Sequence, residues 1–147
     1  ILSPLYSREY IKLFQRISSD KGLQERIKII KHKKEHEHVA KLIGAVDFVV
    51  IPSLSEGFGL VAAEAASIGI PIIATKKTSM EEVVDAKNAI FVEQRNSEEL
   101  KDAILRMTQD KRLRKRLGVP KTFDNWKKVA AKYEKIYEDL IKHKGVN

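Results

Sequence analysis

Hydrophobic positions change their spacing several times along the chain, and each change marks an element. Tyr10, Leu13, Phe14 and Ile17 recur at helical spacing after Ser7, a residue suited to cap a helix, and Gly22 suits its end. Arg26 to Ile30 reads as a short strand. A second helix is predicted from about Glu35 to Gly44, with Val39, Leu42 and Ile43 apolar. Phe48-Val49-Val50-Ile51 has no polar interruption, which predicts a strand buried on both faces of a parallel sheet, and Pro52 stops it. An alanine-rich helix follows from about Gly59 to Ile68, ended by Gly69. Pro71-Ile72-Ile73-Ala74 is a second buried strand. Ser79-Met80-Glu81-Glu82 has the pattern of a capping box opening a short helix, and Ala89 to Val92 is the last strand. Ser97 caps a helix through Met107, and Asp110 starts another that ends at Gly118.

Strands alternating with helices predict an α/β fold: a Rossmann-like parallel sheet with helices on both faces. In such sheets ligands bind beyond the carboxyl ends of the strands. Ser53 to Phe58 and Thr75 to Thr78 are therefore the loops to read for chemistry. Over residues 122–143 the pattern becomes a long amphipathic helix, with Trp126, Val129, Ala130, Tyr133, Ile136, Tyr137, Leu140 and Ile141 on one stripe. That stripe is expected to pack on this domain or on another. No repeat and no long linker divides residues 1–147, which read as one domain; Val119-Pro120-Lys121 is a hinge at most.

Composition narrows the classes. At 147 residues and 43% apolar content, a single packed core is expected and disorder is not. No apolar run approaches the roughly 18 residues that span a bilayer, and no signal peptide is visible. Cysteine is absent, which removes disulfides, thiolate nucleophiles and cysteine metal sites. These features fit a cytoplasmic protein. The net charge of +8, from 28 basic and 20 acidic residues, favours anionic partners. Lys111-Arg112-Leu113-Arg114-Lys115-Arg116 is the densest basic run. It suits an exposed helix face, and offers peripheral contact with an acidic membrane. His32, His36 and His38 cluster, but a solvated junction explains them better than a metal site, because His36 and His38 point to different faces of a helix. No Gly-x-Gly-x-x-Gly or Walker sequence is present, so dinucleotide and P-loop readings lose support.

The informative segment runs Pro52-Ser53-Leu54-Ser55-Glu56-Gly57-Phe58-Gly59-Leu60-Val61-Ala62-Ala63-Glu64-Ala65. A buried strand ends, a glycine-containing turn follows, and a helix opens near Gly59. Unpaired N–H groups and the helix dipole make that opening locally positive, suited to a diphosphate or a sugar hydroxyl. Glycine at Gly57 and Gly59 lets the backbone come close to a ligand. A carboxylate at Glu56 or Glu64 can accept hydrogen bonds from two vicinal hydroxyls at once. Two glutamates at this spacing mean little alone; the surrounding Pro-Ser and Gly-Phe-Gly give them meaning.

In that context Glu56 and Glu64 resemble the Glu-x7-Glu motif of retaining glycosyltransferases with the GT-B fold. The stretch through Gly69-Ile70-Pro71 is similar to the family 4 pattern (glycosyl transferases group 1). The resemblance implies the C-terminal, donor-binding half of a GT-B fold. It implies transfer of a hexose, with retention, from a nucleotide diphosphate sugar to a sugar or lipid-linked acceptor. Glu56, the candidate catalytic carboxylate, would contact the donor sugar, and Glu64 would hold the nucleotide ribose. The backbone at Gly57, Phe58, Gly59 and Leu60 would face the sugar and diphosphate. Thr78-Ser79-Met80-Glu81-Glu82-Val83-Val84 resembles a further family segment, in which many members carry Gly-Gly where this chain has Thr78 and Ser79. Thr78 and Ser79 would still donate to the donor phosphate, and Glu82 serves either a cap or a ligand. Phe123, Trp126 and Tyr137 resemble the family's terminal helix, which crosses back toward an N-terminal domain. No cofactor and no metal are implied.

The resemblance also implies a strand and helix ahead of Ile1, carrying an Arg and a Lys for the diphosphate, and an N-terminal acceptor domain as partner. Lys33, Lys76 or Lys77 would be the available substitutes for those two anchors. This chain by itself is expected to lack transferase activity. Two rivals remain: a nucleotide-sugar-binding module without turnover, and a basic nucleic-acid-binding domain. A nucleic-acid partner is not expected under the glycosyltransferase reading.

Overall fold

A computed structural model describes residues 12–13, 15–16, 19–28 and 36–144. The chain divides into two units, Ile1–Val39 and Ala40–Asn147. In the first, Lys12, Leu13, Gln15, Arg16 and Ser19 are helical, and α1 spans Lys21–Arg26. The expected cap Ser7 and the apolar positions Tyr10, Phe14 and Ile17 lie outside the described residues. Gly22 does not end a helix. The break falls at Asp20, whose carbonyl accepts from Gln24 N at 2.9 Å, and Gly22 sits within α1. Gln24, Glu25 and Arg26 are good helix formers and outweigh the single glycine. The expected strand from Arg26 to Ile30 is also corrected: Arg26 closes α1, Ile27 and Lys28 have no regular structure, and Ile29 and Ile30 lie outside the described residues. Helix α2 spans His36–Gly44, close to its expected bounds.

The second unit holds a parallel sheet of β1 (Val49–Ile51), β2 (Ile72–Thr75) and β3 (Ala89–Val92), in the order β1-β2-β3. Val50 pairs with Ile73, and Ile73 with Ile90. All four residues of the central β2 are buried, as a strand covered on both faces requires. The same expectation fails for β1. Its three residues are only half-buried, because among the described residues it pairs on one side alone.

Alternation along the strands separates two faces. Ile73 and Val92 pack with Ala103 and Met107 of α5 (Ser97–Gln109) and with Leu113 and Leu117 of α6 (Lys111–Leu117). Ile72 and Ala74 point the other way and are fully buried. Helix α3 (Leu60–Ser67) contacts β2 and presents Ala62, Ala65 and Ala66, each without exposed surface. After β2 comes the short α4 (Met80–Val83), with Met80 and Val83 buried. The fold is the expected α/β arrangement, a parallel sheet with helices on both faces.

The caps refine the expected boundaries. Asn96, not Ser97, caps α5, because its side-chain oxygen accepts from Glu99 N at 3.0 Å. Asp110 ends α5 through its own N–H to Arg106 O and caps α6 by accepting from Leu113 N at 2.9 Å. Asn125 opens α7 (Trp126–Lys144) by accepting from Lys128 N at 3.0 Å. The aromatic stripe of α7 is uncovered: Trp126 is 86% exposed, and Tyr133, Ile136, Tyr137, Leu140 and Ile141 are all exposed.

Val119-Pro120-Lys121 is not a hinge. Lys121 N donates to Ala66 O at 2.8 Å, and the buried Asn88 donates through Nδ2 to Val119 O. This segment closes over Gly69, which follows α3 with φ +73°. A Cβ there would lie 3.0 Å from Gly118 O and 3.1 Å from Pro120 Cδ. Gly69→Ala therefore meets both a left-handed backbone and a crowded site, and is expected to lose roughly 1–3 kcal/mol. Gly57→Ala, with open space around the new methyl, is expected to stay within about 0.5 kcal/mol of the parent. Urea denaturation of the three proteins checks this, and equal losses at both glycines would contradict it.

Candidate functional site

Two loops leave the carboxyl ends of neighbouring parallel strands. Pro52 to Gly59 connects β1 to α3, and Lys76 to Ser79 connects β2 to α4. Because Ile51 pairs with Ala74, the loops start at the same level and run side by side. Side-chain hydroxyls join them. Thr75 Oγ1 donates to Ser53 O, and Ser79 Oγ donates to Glu56 O at 2.9 Å. Within the first loop Ser53 Oγ donates to Glu56 Oε2 at 3.3 Å. Glu56 is thus held by both its carbonyl and its carboxylate, and is half-buried.

The helix mouth lies beside it. Gly59 occupies the N-cap position of α3 with φ 87° and ψ 49°, a left-handed conformation that favours glycine. A Cβ on Gly59 would sit 2.9 Å from Met80 Cγ and 3.6 Å from Glu56 Cγ, so the missing side chain lets three segments meet. Ala63 N reaches Gly59 O at 3.0 Å as the first turn closes. No side chain caps this end. The N–H groups of Leu60, Val61 and Ala62 have no acceptor among the described residues. They and the helix dipole make the mouth attractive to an anion. Gly57, Phe58 and Leu60 around it are exposed.

Glu64 lies one turn further, about 6 Å along the helix axis from Leu60. The buried face of α3 is formed by Ala62, Ala65 and Ala66. Glu64 is half-buried beside that face, and its carbonyl accepts from Ser67 Oγ at 2.7 Å. The structure therefore gathers Glu56, Gly59 and Ser79 at one point and sets Glu64 a turn away on the same helix.

The capping box is displaced by one residue from its expected place. Ser79 has helical φ −57° and ψ −16° and makes no side-chain cap. Thr78 Oγ1 instead accepts from Met80 N at 3.3 Å and donates to Thr75 O at 3.0 Å. Glu81 accepts from Lys77 N at 2.7 Å. The hydroxyl of Ser79 is thereby free to reach Glu56. Glu82 is exposed, and its carboxylate has no partner among the described residues.

The lysines of the second loop are engaged by carboxylates. Lys76 Nζ lies 3.1 Å from Glu93 Oε1 and 3.8 Å from Glu99 Oε1, and Lys77 Nζ lies 3.4 Å from Glu93 Oε2. Their ammonium groups are already paired at the positions where a substitute diphosphate anchor would have to be free. Lys33, His32 and the side chains of His36 and His38 lie outside the described residues. Among the described residues no group of three or more His, Cys, Asp or Glu is arranged to hold a metal ion.

Sequence reasoning did not single out Thr75 as a site residue, nor Met80 as the side chain filling the space left by Gly59. Their signal was positional. Thr75 is the last residue of β2, and strand pairing brings that end level with Ser53.

The sequence pattern of glycosyl transferases group 1 matches residues 8–120. The chain belongs to that family. It is 37% identical over 114 residues to an uncharacterised glycosyltransferase of Methanocaldococcus jannaschii, a match covering 74% of this chain and 32% of that protein. It is 29% identical over 140 residues to the D-inositol 3-phosphate glycosyltransferase of Corynebacterium glutamicum, covering 91% of this chain and 33% of that protein. The crystal structure of the C-terminal domain of a glycosyl transferase group 1 family protein from Francisella tularensis superposes with a TM-score of 0.67 at 30% identity, covering 79% of this chain and 60% of that one. This glycosyl transferases group 1 chain spans about a third of the length of the curated relatives it matches. No helix among its described residues is long and apolar enough to cross a membrane.

Charge pairing between the second loop and Glu93, just after β3, gives a pH test. The Lys76 hydrogen bond, with Lys77 beside it, holds Glu93 below the usual carboxylate range, and Glu93 holds Lys76 above the usual lysine value. A lowered carboxylate contributes stability that is complete above its unfolded value near pH 4 and is lost as pH falls through the lowered folded value. The raised lysine contributes below about pH 10.4, and that part is lost as pH rises further. Glu93→Gln is expected to flatten both limbs of the stability–pH curve. Thermal melts from pH 2 to 11 check it; unchanged limbs would contradict the pairing.

Proposed function

We propose that this domain binds a nucleotide diphosphate sugar and forms the donor half of a retaining hexosyltransferase. One observation carries the reading: the uncapped mouth of α3 opens at Gly59 with Glu56 fastened beside it by Ser53 and Ser79. The diphosphate docks at the N–H groups of the mouth, along the backbone of Gly57, Phe58, Gly59 and Leu60. Glu56 accepts from the hydroxyls of the sugar, and Glu64, one turn on, accepts from the ribose hydroxyls. Thr78 and Ser79 line the second wall. In this reading the helix mouth, rather than a resident metal or cofactor, faces the charge of the diphosphate.

In the transfer step the bond from the sugar's anomeric carbon to the diphosphate oxygen breaks. The electron pair leaves with the nucleoside diphosphate, whose growing negative charge the mouth stabilises. The acceptor hydroxyl oxygen bonds the anomeric carbon on the face the diphosphate leaves, and its proton passes to the departing diphosphate oxygen. The acceptor is a sugar or a lipid-linked molecule, held by an N-terminal domain across the cleft. Peripheral contact of the exposed Lys111, Arg112, Lys115 and Arg116 with an acidic membrane would bring a lipid-linked acceptor near.

Calorimetric titration of the full-length protein with UDP-, GDP- and ADP-sugars tests this reading. One of the three is expected to bind. Glu64→Gln turns one acceptor oxygen into a donor facing the ribose, and is expected to weaken nucleoside diphosphate and nucleotide sugar alike by roughly 10- to 100-fold. Glu56→Gln is expected to lower kcat/KM while leaving nucleoside diphosphate binding nearly intact. Absence of binding to every nucleotide sugar, or salt-sensitive oligonucleotide binding unaffected by Glu64→Gln, would overturn the assignment.

A further inference from the structure

Ser79 belongs to the wall of the proposed donor site, yet its hydroxyl is turned toward the neighbouring loop. We propose that Ser79 is a positioning residue: its hydroxyl fixes the backbone of Glu56, and so holds that carboxylate where it meets the donor sugar. The inference rests on the donor-site reading above.

Three bonds support it. Ser79 Oγ donates its proton to Glu56 O at 2.9 Å, so that proton is directed at protein, not at a phosphate. Ser53 Oγ reaches Glu56 Oε2 at 3.3 Å and orients the carboxylate. Thr75 Oγ1 donates to Ser53 O and anchors the start of the same loop. The segment from Ser53 to Glu56 is therefore tied at both ends, to the last residue of β2 and to the loop that follows it. Immediately beyond Glu56 the loop is open: Gly57 and Phe58 are exposed, with nothing near the position of a Cβ on Gly57. Ser79 is available for this task because Thr78 and Glu81 serve the start of α4 in its place. The buried Met80 and Val83 of α4 give Ser79 a firm base.

A restraint on Glu56 acts on the sugar end of the ligand only, which separates it from direct contact with phosphate. In the full-length protein, UDP-glucose, GDP-mannose and ADP-glucose are titrated first to find the donor, and the matching nucleoside diphosphate is titrated beside it. Ser79→Ala is expected to weaken the nucleotide sugar about tenfold and to leave the nucleoside diphosphate within about twofold, a loss in the ratio of the two affinities. Ser79→Thr keeps the hydroxyl and is expected to restore the ratio. Ser53→Ala releases the carboxylate without touching Ser79 and is expected to shift the ratio the same way. Melting curves of each variant separate a loss of fold from a loss of position, and Ser53→Ala decides the matter if Ser79→Ala does not fold. Equal weakening of both ligands would mean that Ser79 touches the diphosphate itself, and an unchanged ratio would mean that its hydroxyl holds nothing that matters; either overturns the proposal. If the parent protein binds none of the three sugars, the donor-site reading fails and this one with it. If the parent binds and only the ratio stays put, the positioning role alone fails.

Discussion

The register between β1 and β2 is the constraint on which the site depends. Ile51 lies opposite Ala74, so two parallel strands end at the same level and release their loops from the same edge. Thr75 then meets the carbonyl of Ser53, and Ser79 meets that of Glu56. A slip of one residue would turn Ile73 away from the α5 and α6 face and move both hydroxyls off their acceptors. The core specifies the register, and the register specifies the site.

Small residues set the second dimension. Helix α3 packs on the sheet through Ala62, Ala65 and Ala66, which carry almost no side chain to hold it away. At its start Gly59 has no Cβ, and Met80 moves into the space that a methyl would need. The alanine-rich segment is therefore a close-packing surface as well as a good helix former. Its uncapped first turn stays unobstructed because Gly59 has no side chain to cap it.

Much of the fold was legible in the sequence. The runs Ile72 to Ala74 and Ala89 to Val92 are apolar, short and bounded by helix signals, and β2 and β3 form there. The half exposure of β1 was hidden, because an edge and a central strand carry the same apolar run and differ only in neighbours. The first unit misled for a local reason: Gly22 is a helix breaker by propensity, but the good helix formers after it prevail. The loop of Glu56 and Gly59 could be located from its pattern of strand, glycine turn and alanine helix. Which hydroxyl served which partner could not. Ser79 fits a capping box as well as Thr78 does, and only the approach of Glu56 distinguishes them. The roles of Thr75 and Met80 arise from contacts between segments distant in sequence, and periodicity carries no record of these.

The far end of α3 has a bearing on how this domain comes to fold. The carbonyl of Ala66 receives Lys121 N as well as Gly69 N, so the helix that opens the site is fastened by a segment lying beyond three further helices and two strands. A nascent chain emerging from the ribosome exposes Glu56 and Gly59 long before that fastening is synthesised. Such sequence-distant closure slows the search for the native state. Until it is made, the apolar strand faces are open to association with other chains. The order of synthesis thus leaves the ligand-facing end of α3 translated early and its anchor much later.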